Sequence, residues 1–468
     1  MNPFAAGGLH TPETRRVNNP DVASPNPRQA SAIEVGSGIT LRAMQFPCML
    51  DVRQNFPRST VPVIDQVIEA EFAAKCLSKQ LGPGKRVAVG VGSRGISHLR
   101  TIVAAVLKQL RERGAVPFIV PAMGSHGGAT PEGQAHILET YGITPVSMGV
   151  PFDTSMDTVN LGATLDRTPV NFSAAALKAD LILPINRVKP HTDFNASLGS
   201  GLMKMMAIGF GKQTGAAACH AAASRLGHER VIRAVARLVL KSAPIMGGLA
   251  ILENHFHETA DLVFLPPNTL EEEEAKLLAK ARSLMAKLPF EEIDLLIVDE
   301  IGKNISGAGM DPNVIGRQVQ GYSSSLAARP DQRPRISRIF VRGVTPASSG
   351  NAIGIGMADF TTTATVRNID LRATYVNSLT ALTPQTAKIP IHFDTDREVI
   401  ERALQSLALD HPASARVVHI RDTLSLEVMR ISSAYVDELR KRNDLARFGP
   451  EREMSFDSKG NLAPVDIA

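Results

Sequence analysis

Lysine, arginine and histidine residues lie in or near glycine-rich segments in the first half of this 468-residue chain. Lys204 lies in an apolar, methionine-rich stretch, and His220 follows it sixteen residues later. A lysine in such surroundings either points toward water or is buried and reactive. Taken alone, His220 is either a metal ligand or an ordinary helix histidine, and the second interpretation is favoured.

Two further histidines follow apolar runs that are typical of buried strands. His126 lies between glycines in Gly124–Gly128, where a ligand-facing role as a proton carrier is favoured over a solvated loop. His191 ends the polar segment Asn186–Thr192, which also contains Lys189. The density of hydrogen-bond donors in that segment predicts a binding loop.

The segment Gly92–Gly95 contains Ser93 and Arg94 between glycines and precedes a predicted helix. Glycines let a backbone approach an anion, and a guanidinium binds a carboxylate or phosphate with two hydrogen bonds. An ordinary strand-to-helix turn is an equally weighted interpretation. The glycine pattern lacks the acidic residue that completes a dinucleotide-binding motif.

Polar, glycine-rich loops recur in the second half of the chain and contain Lys303 and Arg317. Loops of this length are more often functional than idle. His255 and His257 alternate and could bind a metal, although a structural role is favoured. Cys219 and His220 are adjacent on a predicted helix and do not face each other.

The elements that position these residues predict an α/β fold. Short apolar runs predict strands near 86–91, 117–121, 181–185, 248–252, 294–299, 337–342 and 415–420. Helical patterns lie near 65–81, 98–113, 131 onward, 216–242, 271–288, 397–408 and 424–441. Strand, glycine loop and helix in alternation indicate mainly parallel sheets, with ligands at the carboxyl ends of the strands.

The chain is predicted to contain two α/β domains with the active site in the cleft between them. We expect a disordered tail over 1–38, a catalytic domain over 39–289, a second α/β domain over 290–450 and a tail over 451–468. Pro289 marks the boundary. The oligomeric state is left open.

Composition excludes several classes of protein. The net charge is only +5, there is no tryptophan, and only four tyrosines are present. These values argue against a protein that binds nucleic acid or a membrane surface. Three cysteines without a CxxC pair exclude a disulfide scaffold and favour a cytoplasmic protein. No run of 18 apolar residues predicts a membrane span.

The combined segments Gly92–Gly95, Gly124–Gly128, Asn186–Thr192 and Ser200–Lys212, with the later His220, resemble the nickel-dependent lactate racemase family. The resemblance covers about residues 50–450. It implies that Lys204 carries a nickel-pincer nucleotide covalently and that His220 binds the nickel. It also implies that Ser93 and Lys189 contact this cofactor and that separate enzymes synthesise it.

The resemblance further implies inversion of the C2 centre of a 2-hydroxy acid by transient hydride transfer. His126 and His191 exchange the hydroxyl proton from opposite faces, and Arg94 holds the substrate carboxylate. The family's acidic residue three before the arginine is replaced by Val91, and Gly316-Arg317 follows Asp311-Pro312-Asn313 without the family's lysine. Lys303 or Arg317 is therefore expected to bind the substrate anion, and the substrate is not identified as lactate.

Two other functions remain open from the residues alone. One is a metal-dependent hydrolase or lyase with His126, His191 and His220 as direct ligands. The other is a non-catalytic binder of an acidic small molecule.

Overall fold

The computed structural model describes residues 44–75, 77, 80–92, 95–192, 196–317 and 333–466. The strands are β1 Cys48–Gln54, β2 Arg86–Val91, β3 Val116–Pro121, β4 Thr158–Ala163, β5 Pro169–Ser173, β6 Leu181–Arg187, β7 Gly248–Glu253, β8 Thr259–Leu265, β9 Glu292–Val298, β10 Arg335–Val341, β11 Phe360–Thr362, β12 Ile391–Phe393, β13 Val417–Ile420, β14 Val428–Ser432, β15 Leu445–Arg447 and β16 Arg452–Glu453.

The helices are α1 Ile64–Ala74, α2 Leu99–Glu112, α3 Pro131–Thr140, α4 Pro145–Met148, α5 Ala174–Leu177, α6 Leu202–Lys204, α7 Lys212–Leu226, α8 His228–Ser242, α9 Leu270–Leu284, α10 Pro312–Ile315, α11 Thr363–Arg367, α12 Leu371–Thr380, α13 Asp396–Gln405 and α14 Val436–Leu439. A π-helical turn, Met205–Gly209, joins α6 to the segment before α7. In the described part of the chain, no helix is long and apolar enough to cross a membrane.

The first sheet has the strand order β3-β2-β6-β7-β8. Its first four strands are parallel, and β8 pairs with β7 in the antiparallel sense. The strand β2 is apolar and buried from its second residue onward, as expected for a parallel strand covered on both faces. The carboxyl ends of β2, β3 and β6 therefore lie at one edge of this sheet.

The second sheet follows the order β12-β11-β10-β9-β13-β14-β1-β15, with β16 paired to β1. Strands β12 to β13 in this order are parallel, and the remainder is antiparallel. The strand β1 belongs to the predicted segment 39–289, yet it pairs with β14 and β15. The predicted fold class, α/β with mainly parallel sheets, is confirmed.

Two predicted helices differ in the structure. The helix expected over 216–242 is interrupted at Gly227, whose φ of 84° ends α7 and begins α8. The segment expected to be helical over 424–441 contains β14, and its helical part is the short α14. Its apolar residues suit either element, and pairing with β1 and β13 decides in favour of the strand.

The C-terminal segment packs on the second sheet as far as it is described. Met454, Leu462 and Val465 are buried, and β16 extends the sheet beside β1. A tail was expected over 451–468, because these residues carry no periodic apolar pattern. Individual buried side chains, rather than a regular stripe, attach the segment.

Candidate active site

Lys204 and His191 meet at the carboxyl edge of the first sheet. The Nζ atom of Lys204 lies 2.5 Å from Nε2 of His191, and both side chains are partly buried. His191 comes from the loop after β6, and Lys204 ends α6. The structure thus brings together two residues that the sequence predicts for the site and that stand thirteen positions apart.

The backbone before Lys204 is held by the end of β6. The side-chain amide of Asn186 donates to the carbonyl of Gly201 at 2.9 Å. The π-helical turn Met205–Gly209 then lets the chain run from α6 into α7 without leaving the sheet edge. Lys204 is therefore fixed by its backbone on both sides.

The His126 loop follows β3 and contacts the Lys204 segment. The amide of Gly124 donates to the carbonyl of Gly209 at 3.0 Å, and Gly124 has a φ of 62°, which favours glycine. Buried Gln134 donates through Nε2 to the carbonyls of Gly124 at 2.9 Å and His126 at 3.3 Å. His126 itself is partly exposed.

Lys212 supports the same loop from beneath. Its side chain is fully buried, and Nζ donates to the carbonyl of Pro121 at 2.8 Å and to Oε1 of Gln134 at 3.3 Å. Burial lowers the pKa of Lys212 to about 8. The sequence analysis did not single out Lys212 or Gln134, because neither contact has a local sequence signal.

His220 reaches the Lys204–His191 pair through a third histidine. The rings of His220 and His228 have centroids 6.3 Å apart, and the rings of His228 and His191 are also 6.3 Å apart. The sequence analysis assigns no role to His228. The signal that identifies it is Gly227, which breaks the helix and places His228 in the first turn of α8.

The loop after β2 is anchored by a buried ion pair. Arg187 at the end of β6 pairs with Glu253 at the end of β7, and Arg187 also donates to the carbonyl of Gly95 at 3.0 Å. Glu253 accepts from the amide of Ser97 at 2.8 Å. Ser93 and Arg94 lie outside the described residues, so their predicted roles stay predictions.

The second sheet also contributes to the His191 loop. Asn313 donates through Nδ2 to the carbonyl of His191 at 3.1 Å. Lys303 is exposed, and its Nζ donates to the carbonyl of Gly307 at 3.3 Å. Lys189 forms an antiparallel bridge with Ser200, which closes the loop between β6 and α6.

Arg317 occupies a structural position. Its side chain is buried, donates to the carbonyl of Met357, and pairs with Asp359 through Nη2 at 2.6 Å. These contacts attach the start of β11 to the loop after α10. Arg317 was expected to bind the substrate anion, but its charge is already balanced by Asp359.

The remaining candidates have structural surroundings. Cys219 is buried, its Sγ donates to the carbonyl of Ala207 at 3.5 Å, and burial raises the pKa of its thiol to about 12. His255 stacks on Phe56 with centroids 4.3 Å apart. Across the described ranges, no group of three or more His, Cys, Asp or Glu side chains is arranged to hold a metal ion.

The donors near Lys204 are imidazole nitrogens and an amine. His220 is exposed, whereas the Cys219 thiol is held in the core. Imidazole is a ligand that suits nickel, and Ni(II) favours square-planar or tetragonal coordination. The site therefore offers His220 as a candidate metal ligand and Lys204 as a candidate attachment point for a cofactor.

A cavity of about 1020 Å³ lies beside the histidine chain. His228 lines it, together with Leu165 of the β4–β5 turn and Leu238 of α8. The cations Arg230, Arg233, Arg237 and Lys241 also line it. Carboxylates pair three of these cations, namely Arg230 with Asp166, Arg233 with Glu229, and Arg237 with Glu271.

Comparison with known proteins finds a family model that matches part of the chain. Residues 50–230 match the model of the lactate racemase N-terminal domain. This range contains all the predicted site residues except Lys303 and Arg317, and the predicted resemblance is confirmed. Comparison with curated proteins finds no match.

Two solved structures are similar to this chain. The lactate racemase apoprotein from Thermoanaerobacterium thermosaccharolyticum is 15% identical, with a TM-score of 0.47, over 80% of this chain and 94% of that chain. A structural genomics target from Thermotoga maritima is 14% identical, with a TM-score of 0.44, over 71% of this chain and 83% of that chain.

Proposed function

We propose that this chain, a homologue of the lactate racemase family through residues 50–230, is a nickel-dependent racemase or epimerase of a 2-hydroxy acid. The observation that carries the proposal is the contact of the Lys204 amine with Nε2 of His191. It joins the proposed point of cofactor attachment to a proposed acid–base residue. Both residues lie within the matched range.

His126 and His191 carry the hydroxyl proton in this proposal. They are presented by the loops after β3 and β6, whose strands lie on either side of β2 in the first sheet. A neutral imidazole removes the hydroxyl proton of one enantiomer, and an imidazolium returns it to the other. Exchange of these roles allows both directions of the reaction.

Lys204 and His220 would hold the cofactor. Attachment at the Lys204 amine would remove its hydrogen bond to His191 and leave Nε2 to contact the substrate hydroxyl. His220 would supply the nickel ligand from α7. When bound, the nickel-pincer nucleotide supplies an acceptor for the α-hydride, which avoids a carbanion beside the carboxylate.

Arg94 and Lys303 are the proposed anion-binding residues. A guanidinium in the loop after β2 can bind the substrate carboxylate with two hydrogen bonds. Lys303 belongs to the loop after β9 and is exposed. Arg317 has no part in the proposal, because its guanidinium is bound to Asp359.

Intact mass spectrometry and metal analysis test this function. The protein is co-expressed with the enzymes that synthesise the nickel-pincer nucleotide. We expect one covalent adduct that maps to Lys204 and one nickel per chain. Lys204→Ala should have no adduct, and His220→Ala should lose nickel. Lys276→Ala, which removes an exposed lysine of α9, should keep both.

The other functions predict different results. An unmodified chain that holds zinc supports a hydrolase or lyase. An unmodified, metal-free chain from a host that loads a known racemase supports a non-catalytic binder. Unchanged nickel content in His220→Ala contradicts the assignment of His220.

A further inference from the structure

Glu274 is a carboxylate within the hydrophobic core beneath the Lys204 segment. Its side chain is 1% exposed, whereas its neighbours Glu271, Glu272 and Glu273 pair with cations on the surface. Among the described residues, no cationic side chain forms an ion pair with Glu274. A buried carboxylate without such a partner is costly and requires another explanation.

The explanation lies in the backbone immediately before Lys204. Oε2 of Glu274 accepts a hydrogen bond from the amide of Met203 at 3.0 Å. This amide lies in the first turn of α6, where an amide has no carbonyl partner within the helix. Glu274 thus provides the acceptor for the amide of the residue that precedes Lys204.

Gly201 makes this approach possible. A Cβ atom at position 201 would lie 2.4 Å from Oε1 and 2.9 Å from Oε2 of Glu274. Any side chain there would displace the carboxylate. Asn186 holds the carbonyl of Gly201 from the other direction, so the chain is held on both sides just before the lysine.

The second oxygen of Glu274 has no hydrogen-bond partner. It is the atom that takes up a proton when the carboxylate is neutralised. Burial raises the pKa of Glu274 to about 7, against the lowering effect of the Met203 and Leu202 amides. The charged groups that face it are Glu271 on the same helix and Arg233 on α8. Lys204 is the charged residue of α6.

We propose that Glu274 is a positioning residue for Lys204, and that its carboxylate, bound to the amide of Met203, holds the Lys204 amine against His191. A neutral carboxyl accepts weaker hydrogen bonds than a carboxylate. Protonation of Glu274 therefore loosens the start of α6 and exposes the amine. The inference rests on the proposed function only for the role of Lys204 as the point of cofactor attachment.

Acylation of the apoprotein tests the proposal without the cofactor. The protein is treated with limiting acetic anhydride between pH 6 and 8.5, and acetylation of Lys204 is compared with that of exposed Lys241 by peptide mass spectrometry. In the wild type, we expect the Lys204-to-Lys241 ratio to rise about threefold or more as the pH falls through 7. Glu274→Gln cannot ionise, and its ratio should be high throughout.

Glu273→Gln is the matched control, because Glu273 lies beside Glu274 but pairs with Lys276 on the surface. It should reproduce the wild-type profile. Titration of His191 affects wild type and Glu274→Gln alike, so the difference between them isolates Glu274. Superimposable profiles for these two proteins would overturn the proposal.

Amide hydrogen exchange supplies a second measurement. The amides of residues 202–204 should lose about tenfold in protection in Glu274→Gln and in the wild type below pH 6.5, after correction for intrinsic rates. Unchanged protection in the wild type across pH 7 overturns the proposal even if a variant does not fold. If the acylation profiles of wild type and Glu274→Gln differ as expected but co-expression gives no cofactor adduct, only the proposed function is refuted.

Discussion

The two sheets present charged residues at the same topological position and use them differently. At the carboxyl edge of the first sheet, Lys204 contacts His191, and a chain of histidines leads to His220. At the carboxyl edge of the second sheet, Asp299 follows β9 and accepts hydrogen bonds from His419 at 2.7 Å and from the amide of Val465 at 2.8 Å.

The second edge forms a network of opposite charges. Arg342 after β10 pairs with Asp299 and with Asp396 at 2.7 Å, and Asp396 accepts from the amide of Leu462 at 2.9 Å. Burial by itself would raise the pKa of Asp299, but His419 and Val465 lower it below its usual value. The C-terminal segment covers this network.

The two edges differ in how their charged side chains are paired. Carboxylates balance the cations of the second edge, and the network contributes to the fold. At the first edge, the Arg187–Glu253 ion pair holds the loop after β2, whereas the Lys204 amine meets an imidazole. The buried groups bind backbone atoms, Glu274 the amide of Met203 and Lys212 the carbonyl of Pro121, and Lys212 also binds the side chain of Gln134. We infer that the first edge is arranged for reaction and the second for stability.

The largest expected effect is a loss of turnover on substitution of His126, in contrast to a loss of stability on substitution of His419. We expect His126→Gln to lower turnover by about 10²–10⁴-fold, because it removes an acid–base group, with the melting temperature unchanged. His419→Gln should lower the melting temperature and leave turnover per folded molecule intact. Steady-state kinetics and calorimetry of both variants measure this contrast. A fully active His126→Gln would contradict the assignment.

The next effect concerns the buried network. Asp299→Asn should reduce the free energy of unfolding by about 3–5 kcal/mol, because it leaves Arg342 without one of its buried counter-charges. Denaturant unfolding of the purified apoprotein measures the loss. Asp437→Asn, at a fully surface-exposed pair with Arg440, should change it by less than about 1 kcal/mol. Equal losses in the two variants would contradict the prediction that the buried network contributes more to stability than an exposed ion pair.

Much of the first sheet could be predicted from the sequence. Apolar runs of β-branched residues followed by glycines identify β2 and β3, and the loops after them carry Arg94 and His126. The roles expected of Lys204 and His220 are implied by the family resemblance and stay predictions. These signals are local, or are carried by motifs that remain contiguous in the chain.

The remainder depends on contacts between distant residues. Gln134 lies in the helix after the His126 loop, yet its role becomes visible only through its bond to Lys212. The strand β1 mixes apolar and charged residues and is not predicted from the sequence, because its partner β14 lies 379 residues away, as Asp51 opposite Arg430 illustrates. Glu274 reads as one of four consecutive surface glutamates.

Titration of Lys212 should change the free energy of unfolding by about 3 kcal/mol as the pH changes. Its folded pKa of about 8 lies below the ordinary value of 10.5, so the unfolded chain binds more protons between these values. Stability from this group should therefore rise as the pH increases from 8 to 10.5. Chemical denaturation across that range should show the rise in the wild type. It should be absent in Lys212→Met and retained in Lys241→Met, which removes an exposed lysine.

The smallest effect tests the hydrogen bond from Asn313, at the second edge, to the His191 loop. Asn313→Ala removes the donor to the His191 carbonyl, a contact worth about 1 kcal/mol. We expect amide exchange over 188–192 in the apoprotein to quicken about fivefold, with the melting temperature nearly unchanged. Asn351→Ala, which removes a bond to Asn377 of α12, should leave that exchange as it is. If both variants exchange like the wild type, the first edge holds His191 without help from the second, and the contrast between the two edges becomes sharper.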